Sequence, residues 1–161
     1  MARLTAVLVG LVLFLTSCGV GRAQQVEQQR EAVVALVDSV EWPSGYELGT
    51  RDMGDPLFGV GEARGGWVTE RFVAEEANTS DIAADFDAAL KSAGLALSAT
   101  ETHRCDGGEI SAVYESRDPV TSTQLIYQDG RLRVTFGWDV RNLDVERPPL
   151  DRDVRLPECA G

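Results

Sequence analysis

Residues 121–140 read TSTQLIYQDGRLRVTFGWDV, and this stretch decides the fold. Asp129-Gly130 is the residue pair that favours a two-residue type I′ turn, because both central positions of that turn need positive φ. Folding the chain about it sets Tyr127 opposite Leu132, Leu125 opposite Val134 and Thr123 opposite Phe136, all on one face. Leu132, Val134, Phe136, Trp138 and Val140 alternate with Arg131, Arg133, Thr135, Gly137 and Asp139, so one face of the hairpin is apolar and the other wet. An antiparallel sheet with one covered side follows.

Working backwards, Asp118-Pro119 marks a turn and Ile110 to Glu115 reads as a preceding strand. Before it, Leu95, Leu97 and Ala99 alternate as a further strand, followed by a polar loop from Thr100 to Gly108 that holds Cys105. The stretch NTSDIAADFDAALKSAG is the clearest helix: Asn78, Thr79 or Ser80 caps it, and Asp81 and Asp85 sit in its positive first turns. Lys91 lies near its negative end, and Gly94 suits the position after it. Its apolar stripe is Ile82, Phe86, Leu90 and Ala93. Trp67 to Ala74 is a strand by composition, and Tyr46 to Thr50 a short one. Residues 24–40 form an amphipathic helix with Val33, Leu36, Val37 and Val40 on one face, stopped by Trp42-Pro43. The order of elements implies an α+β fold: an antiparallel sheet of about four to five strands with two helices packed on one face.

The N-terminus carries a separate message. Arg3 precedes an apolar run from Ala6 to Leu15, too short to span a bilayer, which needs about 20 apolar residues. It ends in Leu15-Thr16-Ser17-Cys18, which resembles the lipobox of bacterial lipoproteins. The resemblance implies removal of residues 1–17 and a diacylglyceryl group on Cys18, which can acquire further acylation on its freed amine. Two or three acyl chains anchor stably where a single chain binds marginally. It also implies a place on the extracytoplasmic face of the cell membrane. Residues 18–23 are then a short tether, and 24–161 a single domain with a tail from 142 to 161. The segment Trp67 to Val140 loosely resembles the strand-helix-strands unit of small bacterial envelope lipoproteins of unassigned activity. Arginine far outnumbers lysine, of which Lys91 is the sole example, and Ala, Gly and Val are abundant, as in proteins of GC-rich, actinobacterial genomes.

Formal charge is −11, and loss of the segment containing Arg3 makes it −12. Such a chain disfavours nucleic acid and anionic headgroups, and its mean charge favours a protein partner with a basic surface. With Cys18 assigned to lipid, Cys105 and Cys159 remain; in an oxidising compartment a disulfide is the simplest reading, and two free thiols or a metal pair are the alternatives. A bond would close a loop of about 54 residues, which the chain-entropy model values at roughly 4 kcal/mol, and would tie the tail.

Chemical motifs are sparse. Gly59-x-Gly61 lacks the lysine and hydroxyl of a phosphate loop, and the segment reads as a surface loop whose Leu57 and Phe58 are candidate partner contacts. His103 is the sole histidine, and no GxSxG, SxxK, HExxH or EF-hand pattern occurs. Glu75-Glu76 could begin a carboxylate pair, but acids this numerous are mostly solvation. The expectation is a lipid-anchored, non-catalytic envelope module that binds a protein partner, without cofactor or metal. The alternative is a carrier for a lipid, glycan or small solute, with a pocket between helix and sheet.

Overall fold

The computed structural model describes residues 21, 24–54, 65–73, 79–104, 109–139, 143, 146–147, 149–151 and 156. It is an α+β fold built on a six-stranded antiparallel sheet with two helices. In chain order the elements are helix α1 (24–39), strands β1 (Glu47–Gly54) and β2 (Gly66–Val73), and helix α2 (Thr79–Ser92). The chain then forms strands β3 (Ala96–Arg104), β4 (Glu109–Arg117), β5 (Val120–Gln128) and β6 (Arg131–Trp138). The spatial order is β1-β2-β6-β5-β4-β3, so α2 carries the chain across the sheet from β2 to its far edge, and a meander brings it back to pair β6 with β2.

The hairpin at the centre forms as its residues require. Asp129 and Gly130 have φ of 51° and 74°, and Tyr127↔Leu132, Leu125↔Val134 and Thr123↔Phe136 are opposed. The sheet has six strands where the sequence implies about four to five, and β1 and β3 are longer than their apolar residues indicate. β1 reaches Gly54 through the polar run Thr50-Arg51-Asp52, and β3 continues to Arg104 through a stretch whose polarity reads as loop. Both are edge strands, with register shifts between Leu48 and Thr50, between Leu97 and Ala99, and between Thr100 and Thr102. Each shift inserts an unpaired residue and flips the alternation, which hides a strand from a period-2 pattern.

One cluster forms the core. Val33, Leu36, Val37 and Val40 of the α1 segment, and Ile82, Phe86 and Leu90 of α2, meet Phe72, Ile110, Tyr114, Leu125, Leu132, Val134 and Phe136 of the sheet. Both helices therefore cover the same face. Trp42 does more than stop α1: its ring packs 5.0 Å from Phe72 and 5.9 Å from Phe86, which itself lies 5.1 Å from Phe72. α2 ends as its sequence indicates. Gly94 has φ of 89°, and the amides of Gly94 and Leu95 donate to the carbonyls of Lys91 and Leu90, the paired bonds of a Schellman cap.

Polar groups stitch the layers. Arg51 donates from Nε to Glu70 Oε1 at 2.6 Å and from its terminal nitrogen to Asp38 Oδ1 at 2.7 Å, so one guanidinium joins β1, β2 and α1. Gln29 Nε2 donates to the Val120 carbonyl at 2.7 Å, which pins the first turns of α1 to the β4–β5 end of the sheet. Leu156, far along the C-terminal tail, packs against the core.

Candidate binding face

Cys18, Leu57, Phe58, Glu75, Glu76, Cys105 and Cys159 all lie outside the described residues. His103 falls within β3, its backbone opposite Ile110. Among the described residues no group of three or more His, Cys, Asp or Glu is arranged to hold a metal ion.

What the structure does place is the outer face of the sheet. No described helix covers it, since α1 and α2 both pack on the other side. The outward positions are Trp67, Thr69, Arg71 and Val73 on β2, and Arg131, Arg133, Thr135 and Gly137 on β6. On β5 they are Ser122, Gln124, Ile126 and Gln128. The Oγ1 atoms of Thr69 and Thr135 meet at 3.0 Å across the middle.

At the end of this face nearest the β5–β6 turn lies an open groove of about 820 Å³. Its lining includes Arg71, Arg131 and Arg133, with Asp129 from the turn as the one carboxylate, and Val73 and Ile126 supply apolar surface. Arg71 and Arg133 are direct cross-strand partners, and Arg131 stands opposite Val73. Like charges directly opposite are destabilising, by a fraction of the roughly 0.2–1 kcal/mol scale of such pairs. Arg71 is held by Asp52, Nε to Oδ2 at 2.8 Å. Among the described residues, Arg131 and Arg133 carry no ion pair. In a chain of charge −11, this is a local surplus of positive charge among the described residues.

The alternation of Arg131 and Arg133 with the apolar face was legible in the hairpin. Their alignment with Arg71 was not, because nothing local in the sequence shows that β6 returns to pair with β2 across about 60 residues.

A second, smaller cavity of about 380 Å³ lies at the opposite end of the sheet, where Gly66, Trp67, Val120, Gly137, Trp138 and Arg147 meet. Gly66 is required there, since a Cβ would run into the Trp138 indole directly opposite. The helix–sheet layer itself is filled by the packed rings of Trp42, Phe72, Phe86 and Phe136.

Three polar networks are structural in character. Asp87 accepts from the Tyr114 hydroxyl at 2.9 Å and from Lys91 Nζ at 2.9 Å, and burial beside this carboxylate raises the Tyr114 hydroxyl well above the ordinary phenol value. Tyr46, which donates to Asp85 Oδ2 at 3.0 Å, is pushed up to about 12, first by burial and then by that carboxylate. The Asp38 hydrogen bond, opposed by burial and helped by Glu70, raises the Arg51 guanidinium and so secures its charge. Neither tyrosine nor Arg51 is poised to exchange a proton near neutral pH.

No protein-family model matches this chain, and comparison with curated proteins and with solved structures yields no match. Among the described residues, no helix is long and apolar enough to cross a membrane.

Proposed function

We propose that this protein is a lipid-anchored, non-catalytic binding module of the bacterial envelope, tethered through Cys18 and offering the outer face of its sheet to a protein partner. The observation that carries this reading is that face: six strands wide, uncovered by the described helices, and indented by a groove with two guanidiniums that have no ion-pair partner among the described residues. A binding module needs a rigid, exposed surface and no catalytic constellation. The filled helix–sheet layer favours this reading over a carrier, which would need an apolar chamber there.

The mean charge of the chain asks for a basic partner, while the sheet face asks for an acidic one. Binding answers to the local surface, because exposed charges more than about 8–10 Å apart are screened at physiological salt. At this face the partner's contact is therefore acidic, and the basic-partner expectation belongs to the rest of the surface.

A photo-crosslinking residue placed at Gln124 or Thr135, on the outer face, tests the reading in intact membranes. The expected result is a discrete crosslinked species from these positions and none from Ala84 or Glu31, which are exposed on the helices. Crosslinks confined to the helix positions would contradict it.

A further inference from the structure

The start of α1 and the groove lie at opposite ends of the sheet. Gln29, in the second turn of α1, bonds to Val120 at the start of β5, so the N-terminal end of the domain sits at the β4–β5 end. The arginine groove is built from the last residues of β2 and β5 and the first of β6, at the β5–β6 end. Strands of eight and nine residues separate the two ends, roughly 25–30 Å at about 3.3 Å per residue. With only residues 18–23 between the lipid and the helix, the end bearing the start of α1 stays near the bilayer, and the groove opens away from it.

We propose that the Arg71–Arg131–Arg133 groove is a binding site for an extended acidic peptide segment of an envelope protein that reaches the domain from its membrane-distal side. The inference deepens the binding-module reading and rests on it. Three observations on the site converge. The first is the charge: among the described residues, three guanidiniums stand against the single carboxylate of Asp129, and only Arg71 is neutralised by a neighbour. The second is the register, which sets Arg71 directly opposite Arg133 at a cost to the sheet that an anion between them would reverse.

The third is the spacing. Arg131 and Arg133 stand two residues apart on one strand face, about 6.6 Å, which is the repeat of alternate side chains on an extended peptide. A segment with carboxylates at alternate positions, laid along β6, would meet both forks bidentately and lay its intervening backbone over Ile126 and Val73. The orientation argues against anionic headgroups of the home membrane as the occupant, because the groove is a strand length from the tethered end.

The test uses the full lipidated chain in nanodiscs of neutral lipid and an eight-residue fluorescent peptide of alternating glutamate and valine, read by anisotropy. The lysine-for-glutamate peptide, inorganic phosphate and phosphatidylglycerol vesicles serve as comparison arms. The expected result is saturable binding of the acidic peptide only, weakening as salt rises from low to physiological strength. Arg133→Gln should weaken it about tenfold and Arg131→Gln/Arg133→Gln about a hundredfold, the range expected for charge-assisted hydrogen bonds. Arg133→Lys, which keeps the charge but loses the fork, should weaken it several-fold without altering the thermal melt.

Equal binding of the acidic and lysine peptides, or binding unchanged in the double variant, would overturn the proposal. So would phosphate or phosphatidylglycerol vesicles displacing the peptide at concentrations as low as the peptide's own, which would mark a small-anion or headgroup site. Crosslinks at Gln124 and Thr135 without acidic-peptide binding would sink the partner chemistry and leave the binding-module reading standing.

Discussion

Glu70 is the residue at which the fold takes its largest electrostatic risk. Its side chain is 0% exposed, Oε1 is held by Arg51, and Oε2 has no partner among the described residues. Removing Arg51 would leave a buried carboxylate uncompensated, a change that costs about 3–5 kcal/mol where both partners are buried. Since the Arg51 side chain is 35% exposed, water moderates the loss, and Arg51→Ala should destabilise by roughly 2–3 kcal/mol in urea unfolding. The double variant Arg51→Met/Glu70→Met should recover most of it, because it leaves no orphaned charge. A double variant no more stable than Arg51→Ala would contradict the pair as the cause. The tyrosines give a second residue-scale expectation. Tyr46 and Tyr114 both titrate above the ordinary phenol value near 10, so their neutral forms stabilise the fold fully below about pH 10. That contribution is lost as pH rises toward 12, the value of Tyr46. Tyrosinate absorbance should show at least two of the three phenols still protonated beyond pH 10 while the protein is folded, with unfolding following their ionisation.

At the scale of elements, α2 and the β5–β6 hairpin end on glycines whose role is conformational. Gly94 has φ of 89° and open space where a Cβ would stand, so Gly94→Ala meets no clash and its whole cost is the left-handed backbone, about 1 kcal/mol. Chemical denaturation should show that loss with an unchanged m-value; a loss several times larger would mean that the Schellman cap does more than close the helix. These two elements were legible because their signals are local: a cap, a stripe and an Asp-Gly pair within a few residues of one another. β1 and β3 were only partly legible, since bulges near Gly49, Ser98 and Glu101 break the alternation, and edge strands need not be apolar. Trp42 shows the same limit from the other side. Beside Pro43 it marks the end of α1, yet its packing on Phe72, Phe86 and Phe136 depends on contacts made across the chain. The arginine groove is a product of topology in the same sense, assembled from β2 and β6, which no local pattern joins.

For the whole molecule, the tail and the tether set how the domain is held. Leu156 rests on the core and Arg147 borders the smaller cavity, so the C-terminal segment returns to the body of the domain at more than one place. If Cys105 and Cys159 are bonded as we propose, reduction should leave the Asp129-Gly130 hairpin protected while proteolysis after about residue 142 accelerates, and non-reducing peptide mapping should recover the two cysteines in one linked fragment. Two free thiols would leave Leu156 as the attachment that the structure displays. The orientation of the groove, the direction of partner approach and the class of protein all depend on Cys18. The most direct test is therefore the intact mass of the wild-type chain and of Cys18→Ala recovered from membrane and soluble fractions. The expected result is a membrane-bound wild type that begins at Cys18 and carries a diacylglyceryl adduct, and a Cys18→Ala chain that is unprocessed or released from the membrane. A wild type recovered soluble and unlipidated, or a Cys18→Ala chain processed and anchored as before, would contradict it.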